Sequence, residues 1–275
     1  VVEERPVPPA DRRRLLVLGA GAAQLGLLEA ARALDLFTIA VDRDSEAPGF
    51  PLADRRALIS TEDEPSIERL AEAERVDGVI APGIDWPVAI AARVARRLSL
   101  PHPLEPETAV LATSKVRQRE RFAEAGVPQP EMRVCKDLVE AAAAATELGF
   151  PCVVKAPDRQ GQRGLTLVTD AREFAGAAEQ ALAASRSGAC LVEELIDGQE
   201  VTVNAFSVAG RFYPLTVTDR VRAEPPAFGV ALAHVWPSAL DPGHVAAAIE
   251  TARQAADALG IADGPTYTQV VVGEH

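Results

Sequence analysis

The stretch that decides the fold is Phe150-Pro151-Cys152-Val153-Val154-Lys155-Ala156, followed by Arg159-Gln160-Gly161-Gln162-Arg163-Gly164 and then Leu165-Thr166-Leu167-Val168. The two apolar runs read as short buried strands joined by a basic, glycine-containing loop. A lysine that ends a buried strand projects into a cleft or meets a counter-charge, because an unpaired ammonium is costly to bury. A lysine reaching solvent at a strand end is the plainer alternative, and for Lys155 by itself it is the favoured one. The loop adds weight to the first. Gly161 and Gly164 let the backbone lay N–H groups over phosphate oxygens, and the arginines add charge.

Upstream, strand and helix alternate. Leu15-Leu16-Val17-Leu18 is an apolar run closed by Gly19-Ala20-Gly21, and a helical pattern follows through Leu25, Leu28, Ala31 and Leu34. Strands are predicted at 37–41 and 76–81, and helices at 65–75 and 84–98, with a Pro- and Gly-rich loop at 47–51. This alternation predicts a parallel α/β sheet. The polar, Pro-rich opening reads as a loose arm over 1–13. The next domain runs from 14 to 103 and ends in the linker Leu100-Pro101-His102-Pro103.

The third region, 104–275, is α+β in flavour. One helix is predicted over 108–125, stopped by Gly126 with Pro128 beyond. Strands are predicted at 132–135, 152–155, 165–168, 190–194 and 201–208, and Gly210 turns the chain into a hairpin partner at 211–218. Helices are predicted at 137–148, from a capping box at Asp170 and Glu173 to Leu182, and at 242–259, before a last strand at 268–272.

The turn Gly19-Ala20-Gly21-Ala22-Ala23-Gln24 invites a dinucleotide-binding reading, with Asp42 where a ribose-binding acid stands. Gln24 occupies the position of the third glycine. The glycines are also explained by a tight strand–helix turn alone. An NAD-dependent oxidoreductase is therefore kept as a less favoured alternative.

Two further features accompany Lys155. In Leu191-Val192-Glu193-Glu194-Leu195-Ile196-Asp197-Gly198-Gln199-Glu200, acids interrupt an apolar run. Free backbone groups there suit the edge of a purine, and a carboxylate accepts hydrogen bonds from ribose hydroxyls; a turn with solvated acids is the plainer reading. Lys115 opens the basic run Lys115-Val116-Arg117-Gln118-Arg119, which also reads as a solvated helix face.

Composition narrows the classes. The 275 residues carry 28 Lys and Arg against 40 Asp and Glu, a net charge of −12, which disfavours nucleic acid as a partner. No apolar run approaches the roughly 20 residues of a membrane span. Cys135, Cys152 and Cys190 show no zinc or disulfide spacing and read as buried thiols of a cytoplasmic protein.

Taken in order, Ser114-Lys115, Ala125-Gly126-Val127-Pro128-Gln129-Pro130, Phe150 to Ala156 with its glycine loop, and Val192 to Val201 resemble an ATP-grasp ligase. The first hundred residues resemble the Rossmann-like domain that precedes the grasp in biotin carboxylase, carbamoyl phosphate synthetase and amino acid ligases. The resemblance implies an α/β Rossmann-like domain followed by an α+β ATP-grasp domain with a lid over about 130–192. It implies that Lys115 and Lys155 contact ATP phosphates, that the loop from Gly161 to Gly164 closes over them, that Glu193, Glu194, Leu195 and Ile196 form the adenine hinge, and that Glu200 binds ribose. The implied activity is an ATP-dependent carboxylate–amine ligase that activates a carboxylate as an acyl phosphate. Arg220 or Arg222, read as lying just after the strand that ends at Thr218, would meet the transferred phosphoryl group or the substrate carboxylate, with a surface arginine the equal alternative. His234, Trp236 and Arg222 lie where substrate loops often run, and each also has an ordinary structural role. The implied cofactors are ATP and Mg2+, and the partners are a small carboxylate and an amine, with a homodimer left open.

One departure stands out. The family holds magnesium with two acids near the end of this region; the first aligns with Gln269, which brings no negative charge, and the second falls past His275. The expectation is that the sequence is truncated before the second acid, with weak or absent turnover as it stands. The alternative is a non-catalytic ATP-binding regulatory or partner module.

Overall fold

The computed structural model describes residues 12–159, 164–223 and 229–273. The chain forms two compact units, the first ending at Thr113 and the second beginning at Ser114.

The first unit is built on a four-stranded parallel sheet. Its strands are β1 (Arg14–Leu18), β2 (Phe37–Asp42), β3 (Arg55–Leu58) and β4 (Gly78–Ile80), in the order β3-β2-β1-β4. Its helices are α1 (Leu25–Ala33), α2 (Glu64–Glu74), α3 (Asp85–Arg97) and α4 (Pro106–Thr113). Successive residues of a strand point to opposite faces, so a parallel sheet covered on both sides reads as a continuous apolar run. Leu16, Leu18, Ile39 and Val41 pack with Ile67 and Val94 of α2 and α3, while Val17 and Ala40 pack with Leu28 of α1 and with Phe50. Burying each such side chain contributes about 1.5–3 kcal/mol.

The sequence reading differs here in three places. β3 lies in a segment that carried no strand expectation; its RRAL pattern is half-exposed edge strand rather than apolar core. The helix expected over 108–125 is two helices, α4 and α5 (Lys115–Ala125), broken at Ser114. That residue is extended (φ −101°, ψ 109°), and its hydroxyl accepts from Arg117 N–H as an N-cap. Helix α4 packs on α3 in the first unit, past residue 103 where the linker was expected to end it. Of the arm expected over 1–13, all but residues 12 and 13 lies outside the described residues.

The second unit has two antiparallel sheets. One contains β5 (Met132–Cys135), β6 (Cys152–Lys155), β7 (Leu165–Val168) and β8 (Cys190–Glu194) in the order β5-β8-β6-β7. Helices α6 (Leu138–Leu148) and α7 (Ala171–Ala184) cover one of its faces. They do so with small residues, Ala141, Ala144 and Ala145 on α6 and Ala177, Ala178 and Ala181 on α7, which lets the helix axes approach the sheet closely. Cys135, Cys152, Val154, Cys190 and Val192 fill the layer beneath them. Alternation therefore turns Val153, Lys155, Leu191 and Glu193 to the opposite face.

The other sheet contains β9 (Gln199–Val208), β10 (Arg211–Arg222), β11 (Ala231–Val235) and β12 (Gly264–Val272), ordered β11-β10-β9-β12. Helix α8 (Pro242–Leu259) seals one face, with Ala248 and Ala252 against Val201, Val203 and Val217. The other face carries Glu200, Thr202, Thr218, Arg220, His234 and Tyr267. The hairpin partner expected to stop at 218 runs on to Arg222, with a register shift between Pro214 and Thr216, so Arg220 and Arg222 lie within a strand and not after one.

Candidate functional site

The site grows from the end of β6. Val154 is held in the core, so Lys155 faces away from the helices, diagonal across the ladder to Glu193 of β8. Lys155 Nζ donates to Glu193 Oε2 at 2.6 Å. The two side chains keep only 19% and 6% of their exposure. Burial pushes the Lys155 ammonium below the ordinary lysine range; Glu193 opposes that shift, and Arg119 and Lys115 add to it. Arg119 Nε stands 3.6 Å from the second carboxylate oxygen, Oε1, which is buried and accepts no hydrogen bond among the described residues.

Lys115 opens α5, and its Nζ donates to the carbonyl of Arg159 at 3.0 Å. That carbonyl is the last described group before the glycine loop. The stems of the loop are fixed on both sides. Asp158 accepts from Arg186 N at 3.0 Å and Ser187 N at 2.7 Å; burial works against its charge, but these bonds hold its carboxyl below the ordinary range. Ala156 N donates to Gly164 O at 2.9 Å. Gly164 has φ +69°, and a Cβ there would stand 2.8 Å from that of Ala184, so the position requires glycine on both counts. The expectation for Gly161 lies outside the described residues.

Past the ion pair, Glu193 and Glu194 are still in β8, and only Leu195 and Ile196 leave the strand. Glu194 is exposed and accepts from Glu131 N at 3.2 Å. On the second sheet, Arg220 Nε lies 3.0 Å from Glu200 Oε1, both side chains mostly buried, though the contact is not aligned as a hydrogen bond. Arg220 Nη1 donates to Tyr267 Oη at 3.0 Å; Tyr267 Oη meets His234 Nε2 at 3.4 Å, and His234 Nδ1 meets Thr218 Oγ1 at 3.3 Å. Arg222 and Trp236 are exposed.

The structure thus brings Lys155, Glu193 and Arg119 together, ties Lys115 to the loop, and joins Glu200 to Arg220 in a second network. Gln269 is exposed in β12 opposite Thr202, and its side chain makes no hydrogen bond among the described residues. No group of three or more His, Cys, Asp or Glu among the described residues is arranged to hold a metal. Arg119 and Tyr267 were not expected at either network. Arg119 had a signal, its four-residue spacing from Lys115 on one helix face; Tyr267 had none.

In the first unit, the glycine turn is closed by its own side chain. Gln24 is 2% exposed and donates from Nε2 to Pro82 O at 2.6 Å. A Cβ at Gly19 would lie 2.9 Å from Gln24 Cδ, so the amide fills the space above the turn. Asp42 is spent locally, accepting from Ala20 N and Asp44 N at 3.0 Å each. The turn is thus filled by Gln24, and the acid that would read a ribose is already engaged.

Residues 113–223 match the family described as "Phosphoribosylglycinamide synthetase, ATP-grasp (A) domain". The chain is 34% identical over 183 residues to the formate-dependent phosphoribosylglycinamide formyltransferase of Mycolicibacterium smegmatis, covering 63% of this chain and 44% of that protein. Its fold is similar to the L-amino acid ligase of Bacillus licheniformis (TM-score 0.80, 22% identity, 96% of this chain and 64% of that one). It is also similar to the ADP complex of N5-carboxyaminoimidazole synthetase from Staphylococcus aureus (TM-score 0.81, 13% identity, 96% and 67%). The chain spans about half the length of the curated relatives it matches. From the order of strands around Lys155 to the matched segment and the shared fold, these findings converge: residues 113–223 carry an ATP-grasp (A) domain.

Proposed function

We propose that this chain is the nucleotide-binding part of an ATP-dependent ligase that activates a small carboxylate as an acyl phosphate for attack by an amine. The observation that carries the reading is the withdrawal of Lys155 from solvent beside Glu193, with Arg119 close by and Lys115 at the loop stem. Cations held together and partly desolvated in a chain whose net charge is −12 fit a polyphosphate far better than they fit a neutral ligand. The relative crystallised with ADP supports the choice of nucleotide.

In this reading Lys155 and Lys115 neutralise phosphate oxygens. Leu195 and Ile196 meet adenine, with Glu193 and Glu194 preceding them, and Glu200 takes the ribose. Phosphoryl transfer needs positioning and charge neutralisation more than covalent help from the protein. Arg220, steadied by Glu200 and Tyr267, presents a planar fork to the phosphoryl group or the carboxylate. Magnesium enters as the usual companion of the nucleotide. Among the described residues no group of three or more His, Cys, Asp or Glu is gathered for it, and Gln269, the residue aligned with the family's first acid, would offer a neutral oxygen.

The small-molecule partners are a carboxylate and an amine, in the cytoplasm. No described helix is long and apolar enough to cross a membrane. Association into a homodimer is tested by sedimentation. The activity is tested by ADP release across carboxylate and amine pairs, using the chain and a version extended past His275. Pair-dependent release supports the ligase; ATP binding with no release from either version supports the binding module instead.

A further inference from the structure

Helix α5 has two basic faces. Lys115 and Arg119, one turn apart, are half-buried, whereas Arg117 and Arg121 are exposed. The inward pair approaches the same carboxylate that Lys155 holds. Glu193 offers Oε2 to Lys155 at 2.6 Å and Oε1 to Arg119 Nε at 3.6 Å, so one buried acid is flanked by two cations, with Lys115 adding to their field.

Two features are left over from that arrangement. Glu193 Oε1 is buried and accepts no hydrogen bond among the described residues, and Arg119 stops short of making one. The two Nη groups of Arg119 donate to no acceptor among the described residues, although its side chain keeps only 23% of its exposure. The helix backbone at this point is fixed, with Gln129 Nε2 donating to Arg119 O at 2.9 Å. A half-buried guanidinium whose fork meets no acceptor among the described residues, beside a buried lysine, is poorly compensated by one shared carboxylate. An arriving anion with several oxygens corrects that, and a planar fork matches phosphate bidentately.

We propose that Arg119 is a third phosphate-binding cation of the nucleotide site, acting beside Lys155 and Lys115. This rests on the reading that the second unit binds ATP. Glu193 is the internal counter-ion of both cations, Lys155 and Arg119. On binding, phosphate oxygens take over Lys155 and the Nη fork of Arg119, and Nε stays turned toward Glu193.

The test is titration calorimetry of ATP against the wild-type chain, Arg119→Gln, Arg119→Lys, Arg117→Gln and the double variant Arg119→Gln/Glu193→Gln, with unfolding checked without ligand. Arg119→Gln is expected to weaken ATP binding about tenfold to a hundredfold, the range of a charge-assisted bond or two. Arg119→Lys keeps part of the affinity, and Arg117→Gln, on the outer face, keeps all of it. The double variant stays weak, because its defect is a lost phosphate contact. Unchanged affinity in a folded Arg119→Gln overturns the proposal, and so does an equal loss in Arg117→Gln. Recovery in the double variant also overturns it, since Arg119 would then only neutralise Glu193. If the wild-type chain itself does not bind ATP, the parent reading fails first and this inference falls with it.

Discussion

Lys155 and Glu193 meet diagonally across two antiparallel strands, Lys155 opposite Leu191 and Glu193 opposite Val153, with Nζ and Oε2 2.6 Å apart. Diagonal neighbours on one sheet face are within reach of long side chains, so register alone brings the pair together. That register is fixed by burial of Val154 and Val192 on the other face, because a slip of one residue would drive both charges into the alanine-rich core.

Removing one partner is therefore costlier than removing both. Glu193→Gln leaves a buried ammonium beside Arg119 without its counter-charge, and the expected loss is about 3 kcal/mol in unfolding free energy. The double change Lys155→Met/Glu193→Leu is expected to recover most of that. Urea denaturation of the three proteins checks the order.

The cysteines give a pH signature. Cys135, Cys152 and Cys190 are all buried, and burial, with a contribution from nearby Cys190, pushes the Cys135 thiol up to about 11 from 9.0. An acid whose folded value is raised keeps its proton longer in the folded state. Its stabilising contribution is full below pH 9.0 and is lost as pH climbs through about 11. Cys135→Ala is expected to flatten that part of the stability–pH curve relative to wild type. None of the three thiols is expected to react with iodoacetamide at pH 8 until denaturant is added; rapid labelling of the native chain would contradict their burial.

Gly164 marks the closing stem of the loop. Gly164→Ala meets a left-handed backbone and a Cβ contact of 2.8 Å with Ala184 together. The cost is about 1–3 kcal/mol of stability, and the displaced loop stem also lowers the ATP-induced melting shift. An alanine variant with wild-type stability and shift would show that the stem relaxes freely.

The first unit gives a negative expectation for NAD. With Gln24 filling the space above Gly19 and Asp42 already bonded to Ala20 N and Asp44 N, NAD is expected to leave the melting temperature unchanged while ATP raises it. Tight NAD binding without ATP binding reverses the assignment.

Much of this was legible in the sequence because buried strands carry their own boundaries. The expected bounds at 132–135, 152–155, 165–168, 190–194 and 242–259 coincide with the observed β5, β6, β7, β8 and α8, each an apolar or periodic run between turn residues. Edge strand β3 escaped because arginines on a half-exposed edge resemble loop. The break at Ser114 escaped because helical residues flank it on both sides and only its cap geometry ends one helix and starts the next. Lys155 and Glu193 were individually visible as charges inside apolar runs. Their pairing was not, because it depends on which strands are neighbours: β6 and β8 are adjacent although β7 and α7 lie between them in the chain. The link from Arg220 through Tyr267 to His234 spans three strands and had no local signal.

The most direct measurement of the central claim is the ATP-dependent melting shift of the wild-type chain beside that of Lys155→Ala. A ligand that binds only the folded state raises apparent stability by about 2.7 kcal/mol at a hundredfold excess over its dissociation constant. The prediction is a concentration-dependent rise for wild type and none for Lys155→Ala, with both proteins folded at the outset. An equal rise in both proteins, or none in wild type at millimolar ATP, contradicts the site built on Lys155.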